Sequence, residues 1–530
     1  MNPLARLWPG DRLPLHDRWA STTASVVGIA LLFVALGMVL ATVVAVVDGR
    51  DAGALATATG MTGLIGLTLF HVAAPGARDQ ASVFSAVGAT WLVASVLGSL
   101  PYLLAGTFAV AGRPWSVVLA DALFESVSGF SCTGSTVFGA HNPIESHGPG
   151  ILMYRQLTQW AGGMGIVVLV VMVLPSLRTS GLGLINAEAP GMGVDRLAPR
   201  ISTTAFRFWG IYAGFTALVA VGLLGVGMGP FDAVAHALST ASTGGFSTRD
   251  ASIGHWDSAS IEAVLIVAML IGGANFTLHS RLVRTGRISH HEDPEFRGYM
   301  TMIAAGTVLV TLLLVDDGMG MGRAFRTAVF NVVTLGTSSG FGNATGEGSA
   351  GDFTSWASGP QMILLLFLVF GGCTGSTAGG VKVMRLRVGL SHAYRTLRSF
   401  RRPRAVLLVR QGKATVPEHL VERIAGFMVV YGLLVVGGTM VVAALGTDLV
   451  TAVGGVIGAL GNMGPALGEA GPTASFADAY STPARLVLAA LMLVGRLEIF
   501  PMLLMLVAPY RALDGATRGV RRRLRRSSRQ

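Results

Sequence analysis

Four times along the chain, a stretch too short to cross a membrane lies between two longer apolar runs and ends in glycine and small polar residues. The four are DALFESVSGFSCTGST from Asp121, FDAVAHALSTASTGGFST from Phe231, RAFRTAVFNVVTLGTSSGFGN from Arg323 and TDLVTAVGGVIGALGNMGPALG from Thr447. Each opens as a half-length helix, short of the ~20 residues that ~30 Å of hydrocarbon demands. Apolar spans read near 24–47, 53–75, 84–110, 151–175, 206–228, 260–281, 298–315, 360–388, 421–446 and 485–508. The repeating unit is span, re-entrant half-helix, glycine turn, span, and two further spans precede the first copy.

Irregular backbone at membrane depth leaves peptide groups without partners unless it is buried in protein or faces a water-filled cavity. Four copies around one axis satisfy that condition. Their carbonyls then form stacked rings that replace the water shell of a monovalent cation, and glycine supplies backbone angles that other residues adopt only under strain. The expected fold is an all-α integral membrane protein, with four pseudo-repeats of span, re-entrant pore loop and span around one central pore, plus two N-terminal spans.

Composition agrees, since 52% hydrophobic and 13% charged residues exclude an ordinary soluble globular protein. The run from Ala24 to Val47 lacks the short core and cleavage site of a signal peptide and reads as a retained anchor. Two cysteines far apart imply no disulfide framework. The net charge of +11 gathers in intervening segments: Arg6 to Arg18, Arg178 to Arg200, Arg281 to Arg287, Lys382 to Lys413 and Arg511 to Arg529. Alternating spans put all of these on one side, the cytoplasm by the positive-inside rule, with both termini there. The tail either sets topology alone or also touches anionic lipid. No basic face suits nucleic acid. The absence of a P-loop, HExxH, metal-ligand cluster or nucleophile elbow argues against an enzyme.

Two segments break the span pattern further. LLLFLVFGGCTGSTAGGVKVMRLRV, Leu364 to Val388, carries five glycines between 371 and 380, each costing a helix roughly 1 kcal/mol. It reads as a flexible intramembrane loop or as a close helix-packing site. VGRLEIFPMLLML, Val494 to Leu506, places Arg496 and Glu498 inside an apolar span. Two positions apart on a helix, they point about 200° from each other. The glycine pairs after Arg155 and after Leu270 read as helix packing, and Asn275 and His279 line an inner vestibule or serve structure. Glu125, Asp250, Asp257, Asp316, Asp317, Glu347 and Asp478, on the outer side, read as scattered solvated charges or as residues that raise the local cation concentration.

These four loops, the interrupted helix and the terminal arginine resemble the Trk/Ktr/HKT superfamily of potassium transporters, and the two leading spans resemble its bacterial TrkH type most. The resemblance implies filter glycines at Gly134 in CTGS, Gly245 in TGGF, Gly340 in SSGF and Gly464 in NMGP. Carbonyls of Cys132 and Thr133, Thr243 and Gly244, Ser338 and Ser339, and Asn462 and Met463 complete the rings, the fourth loop departing most because Met463 and Pro465 flank its glycine. It further implies a gate made of Gly371, Gly372, Cys373, Thr374, Gly375, Ser376, Thr377, Ala378, Gly379 and Gly380. Arg496 then points into the pore below the filter and opposes cation passage, or caps carbonyls of the broken helix.

The implied organisation is an N-terminal segment with two extra spans (1–76), pore repeats at 77–178, 201–290, 296–390 and 421–510, a basic cytoplasmic loop at 391–420 and a basic tail at 511–530. Potassium is the transported ion, with no organic cofactor in this chain. The implied partners are a second copy, each protomer holding its own pore, and a cytosolic nucleotide-binding ring of the TrkA type docked on the basic loop. The setting is the bacterial cytoplasmic membrane. The rival reading is a sodium- or proton-coupled secondary transporter of a monovalent cation or small solute, which inverted repeats would favour.

Overall fold

The computed structural model describes residues 15–72, 80–110, 112–178, 201–402, 407–412 and 414–497. Two long helices come first, α1 (Leu15–Asp48) and α2 (Ala52–Val72), packed closely enough that a Cβ at Gly28 would lie 2.7 Å from the Phe70 backbone nitrogen. The first repeat follows as α3 (Gln80–Leu97), the short α4 (Leu100–Leu104), the half-helix α5 (Trp115–Phe130) and α6 (Pro149–Arg178). The second is α7 (Ile201–Gly225), half-helix α8 (Pro230–Ala241), α9 (Ala259–Gly272) and α10 (Phe276–Thr285). The third is α11 (Pro294–Asp316), half-helix α12 (Met321–Gly336), α13 (Ser358–Val369) and α14 (Val383–Arg401). A two-residue hairpin, β1 (Arg410–Gln411) with β2 (Ala414–Thr415), leads to α15 (Glu418–Ala444), half-helix α16 (Leu449–Gly461), α17 (Phe476–Ala479) and α18 (Thr482–Arg496).

Local chemistry starts several of these elements. Asp448 caps α16 by accepting from the amides of Val450 and Thr451, Asp293 caps α11 by accepting from Phe296, and proline opens α8 and α11. The second outer helix of each repeat packs on the half-helix of the next: α6 on α8, α9 on α12, α13 on α16, and α18 back on α5. That succession closes a circle. The core divides accordingly, one cluster joining Phe124 and Phe130 of the first repeat to Val456 and Met492 of the fourth. A second joins Leu265 of the second repeat to Phe330 and Leu364 of the third.

The spans differ from the sequence expectation in two places, and a third span carries the glycine-rich break expected of it. Among the described residues six helices are long and apolar enough to cross a membrane, and the pair α9 and α10 makes a seventh only as a bent unit. The expected continuous span 260–281 is broken by 96° after Gly272, because Asn275 stops one helix and caps the next by accepting from the Thr277 amide. The expected span 84–110 ends at Leu104, where α4 gives way to turns. The interruption of 360–388 leaves α13 only 12 residues long, about 18 Å of helix. Chain beyond Leu497, including Glu498 and the basic tail, lies outside the described residues.

The α3–α5 crossing turns on Gly98, where an added Cβ would fall 2.4 Å from the Phe130 ring and 2.7 Å from the Ser126 hydroxyl. Gly98→Val is expected to destabilise the protein by about 1–3 kcal/mol through overpacking, measured as a lowered thermal midpoint in detergent. An unchanged midpoint would show that the helices do not approach so closely.

Candidate functional site

All four half-helices end in the same hydrogen-bonded turn. In α5 the Cys132 amide bonds to the Gly129 carbonyl at 3.0 Å and Thr133 to Ser128 at 2.9 Å. The pattern recurs as Thr243 to Thr240 and Gly244 to Ser239, as Ser338 to Leu335 and Ser339 to Thr334, and as Asn462 to Ala459 and Met463 to Gly458. This is a Schellman termination, whose left-handed residue is usually glycine. Here that residue is Cys132 (φ 53°), Thr243 (52°), Ser338 (53°) or Asn462 (51°). A side chain in this conformation costs about 1–2 kcal/mol, so the surroundings must hold each turn in place. Two residues on, Gly134 (88°), Gly245 (83°) and Gly340 (77°) are again left-handed. Gly464 is not, since Pro465 pushes the residue before it toward extended backbone.

The four glycines meet. A Cβ on Gly134 would lie 2.2 Å from the Gly244 carbonyl oxygen, one on Gly245 2.2 Å from that of Ser339, one on Gly340 3.0 Å from the Gly464 amide nitrogen, and one on Gly464 2.8 Å from the Gly134 carbonyl carbon. The ring is closed, and all four glycines line one narrow cavity of about 50 Å³. Among the described residues no protein donor reaches the carbonyls of Thr133, Thr243, Ser338, Ser339, Asn462 or Met463. Two neighbours are engaged: Gln159 donates to Gly244 at 2.7 Å and Ser135 to Gly464 at 3.1 Å.

The segments following the glycines form a second ring above the first. Ile144 donates its amide to Asp250, Ile253 donates to Gly342, Gly342 packs on Pro472, and Phe476 donates to Thr136. In this crown Asp250 also donates its own amide to Glu145 at 3.1 Å. Burial first, and then the hydrogen bond with Glu145, raise the Asp250 carboxyl from 3.8 to about 7.

Behind the ring stands a polar wall that the sequence reading did not assign. Arg155 is fully buried between the rings of Phe138 and Phe246, 4.7 and 4.1 Å from their centroids. It donates to Glu125 at 2.9 Å through Nε, to the Ser247 carbonyl at 2.9 Å and to Thr136 at 3.2 Å, joining the first loop to the second. Gln159 accepts from Ser239 and from the Phe246 amide while donating to Gly244. Asp121 bridges Arg113 and Arg485, tying α5 to α18. Glu125 and Asp250 are therefore not solvated charges, because each is folded into the wall or the crown. The signal available was an arginine and a glutamine one turn apart inside an apolar helix.

On the other side of the ring, residues 371–380 form a packed strap. The excursion is closed by a backbone pair between Phe370 and Val381, with left-handed glycines at 372, 375 and 380. Gly371 abuts the Gly336 carbonyl and Gly372 donates to it, while Cys373 donates to Gly273 and Gly375 accepts from Phe276. Thr374 donates both amide and hydroxyl to Glu295, and Ser376 bonds back to Cys373. Thr377 Oγ1 lies 3.2 Å from the Thr243 hydroxyl, Ala378 accepts from Lys382, and Gly379 donates to the Ser338 hydroxyl at 2.5 Å. Arg496, 3% exposed, donates to the Thr377 carbonyl at 2.9 Å, the Gly162 carbonyl at 3.1 Å and Cys132 Sγ at 3.3 Å. The strap thus reaches the left-handed residues of the second and third loops directly, and that of the first through Arg496. Asn275 caps α10 against the strap and His279 bonds the Ile271 carbonyl, so both have structural partners.

The family model described as TrkH: Cation transport protein matches residues 66–510. The Trk system potassium uptake protein TrkH of Halomonas elongata is 40% identical over 415 residues, 77% of this chain and 82% of the relative. Its counterpart in Escherichia coli K12 is 33% identical over 490 residues, 91% of this chain and 97% of the relative. The crystal structure of the potassium transporter TrkH from Vibrio parahaemolyticus superposes with a TM-score of 0.80 at 33% identity, covering 92% of this chain and 98% of that one.

The raised carboxyl in the crown has a measurable consequence. A folded-state value near 7 against an ordinary 3.8 means that the stability tied to protonated Asp250 is complete at low pH and lost as pH rises through about 7. Thermal midpoints of wild type relative to Asp250→Asn should therefore fall between about pH 4 and 7 and level off above. A difference independent of pH would contradict the buried pairing with Glu145.

Proposed function

The chain belongs to the TrkH family of cation transport proteins, and from that premise we propose that it is the potassium-translocating subunit of a Trk uptake system. The family is one of transporters, not enzymes, and the chain is a multi-pass membrane protein. The observation that carries the reading is the closed contact among Gly134, Gly245, Gly340 and Gly464, next to carbonyls that no protein donor among the described residues satisfies. Such oxygens are suited to replace the hydration shell of an alkali cation. In this reading the filter carbonyls come from Cys132, Thr133, Thr243, Gly244, Ser338, Ser339, Asn462, Met463 and the four glycines.

The strap from Gly371 to Gly380 serves as the gate, and Arg496 as both its anchor and a positive barrier on the axis. Loosening the strap releases the guanidinium from Thr377 and clears the path; Glu295 and Gly336 hold the strap's near end in the meantime. The crown faces the outside and the basic segments face the cytoplasm of a bacterium. A homodimer with one pore per protomer, and a TrkA-type nucleotide-binding ring on the basic loop, complete the system. The rival coupled transporter is disfavoured because the half-helix sits in the same place in all four units, and the units follow one another around a circle.

Gly245→Ala would force a side chain into left-handed backbone, at a cost of about 1–2 kcal/mol, and press it on the Ser339 carbonyl. In planar bilayers it is expected to lower the potassium over sodium permeability ratio by about tenfold, the equivalent of ~1.4 kcal/mol; an unchanged ratio in a well-folded variant would rule out the filter. Arg496→Gln should raise basal rubidium flux in liposomes by about tenfold or more, for a barrier lowered by as little as ~1.4 kcal/mol. Flux at or below the wild-type level would remove Arg496 from the gate.

A further inference from the structure

Away from the pore axis, α7, α9, α10 and the start of α11 enclose a cavity of about 1110 Å³. That exceeds the ~300–1,000 Å³ typical of small-ligand sites. Its walls are apolar and uncovered: Leu218, Val267, Val283 and Ile288 line it and are 66%, 58%, 73% and 69% exposed. Gly210 and Gly214 lie on the same face of α7, and a Cβ added at either would meet nothing within 4 Å. The groove is open space rather than a packed seam.

Its polarity is graded along its length. Arg207 lies in the second turn of α7, Arg284 in the last turn of α10, and His290 and His291 in the turn that joins α10 to α11. Arg207 and Arg284 are both exposed, and among the described residues no aspartate or glutamate lines the cavity. From Arg207 to Leu218, α7 advances eleven residues, ~16 Å, into wholly apolar surroundings. His290 donates from Nε2 to Nδ1 of His279 at 3.2 Å, an assignment set by the His279 Nε2 bond to the Ile271 carbonyl, and this steadies the wall between the two regions.

A groove that is cationic at one end and hydrocarbon-like for ~16 Å beyond is the chemical complement of an anion carrying a long apolar tail. We propose that it holds an anionic glycerophospholipid, with the phosphate at Arg207 and Arg284 and one acyl chain laid along α7 toward Leu218. Basic pockets between membrane helices bind such headgroups, and in a bilayer the lipid is always at hand. The groove also reaches Phe276, whose amide supports the strap through the Gly375 carbonyl, so an occupant would brace the bend between α9 and α10.

The test is native mass spectrometry of the full-length protein, delipidated in detergent and titrated with phosphatidylglycerol, phosphatidylcholine or inorganic phosphate. Wild type is expected to retain phosphatidylglycerol in preference to phosphatidylcholine, and phosphate alone is expected not to displace it. The double variant Arg207→Gln/Arg284→Gln should bind phosphatidylglycerol more weakly, the effect of two lost arginine contacts. Gly214→Phe, which keeps both charges and fills the groove, should also lose the lipid. Equal retention of the two lipids, displacement by phosphate alone, or unaltered binding in both variants would overturn the proposal. So would efficient cross-linking between protomers through Leu218→Cys, which would place a second copy in the groove.

Discussion

Backbone that is neither helix nor sheet has to find all of its hydrogen-bonding partners inside the protein when it lies at membrane depth. In this chain four such stretches solve the problem together. Each half-helix ends in a turn that uses up its own amides, and each turn delivers a glycine against the next strand until the fourth abuts the first. No single strand is stable in that position. The left-handed cysteine, threonine, serine and asparagine are strained choices, and they hold only because the other three strands, the crown and the strap over-determine them.

The load is shared unevenly. On the side of the first and second loops, Arg155, Glu125 and Gln159 act as a polar backing that fixes both strands to α6. Buried pairs of this kind bring specificity of position more than net stability, yet removing one partner leaves a charge stranded at a cost of about 3–5 kcal/mol. Among the described residues the fourth strand has no arginine behind it, and it leans on proline geometry, on Ser135 from the first loop and on Asn462, which donates to the Met492 carbonyl. Approximate rather than strict fourfold symmetry follows directly. Below, Arg496 ties the strap, the first loop and α6 into one unit, so movement of the strap cannot leave the ring's supports untouched.

Much of this was legible in the sequence, and for identifiable reasons. Glycine and hydroxyl residues in a half-length apolar segment have few structural uses, so the four loops and the glycine-rich break after Val369 stood out. Arg496 stood out because a charge in an apolar run is conspicuous. The break at Gly272 to Asn275 did not, because its glycine pair reads equally well as helix packing and a single capping asparagine marks the bend. Arg155 carried a signal in its own helix that the reading passed over, Glu125 carried none beyond its charge, and only the fold brings the two together across thirty residues. Thr377 and Ser338 were placed in separate elements by sequence, and their joint role, one on the strap and one meeting it, is a product of packing.

The account rests on the closed ring being the place where a cation sheds its water. Anomalous diffraction from crystals soaked in rubidium or thallium tests this most directly. The structure predicts a peak on the axis enclosed by Gly134, Gly245, Gly340 and Gly464, on the crown side of Arg496. Strong peaks elsewhere in the protein, with none inside that ring, would contradict it.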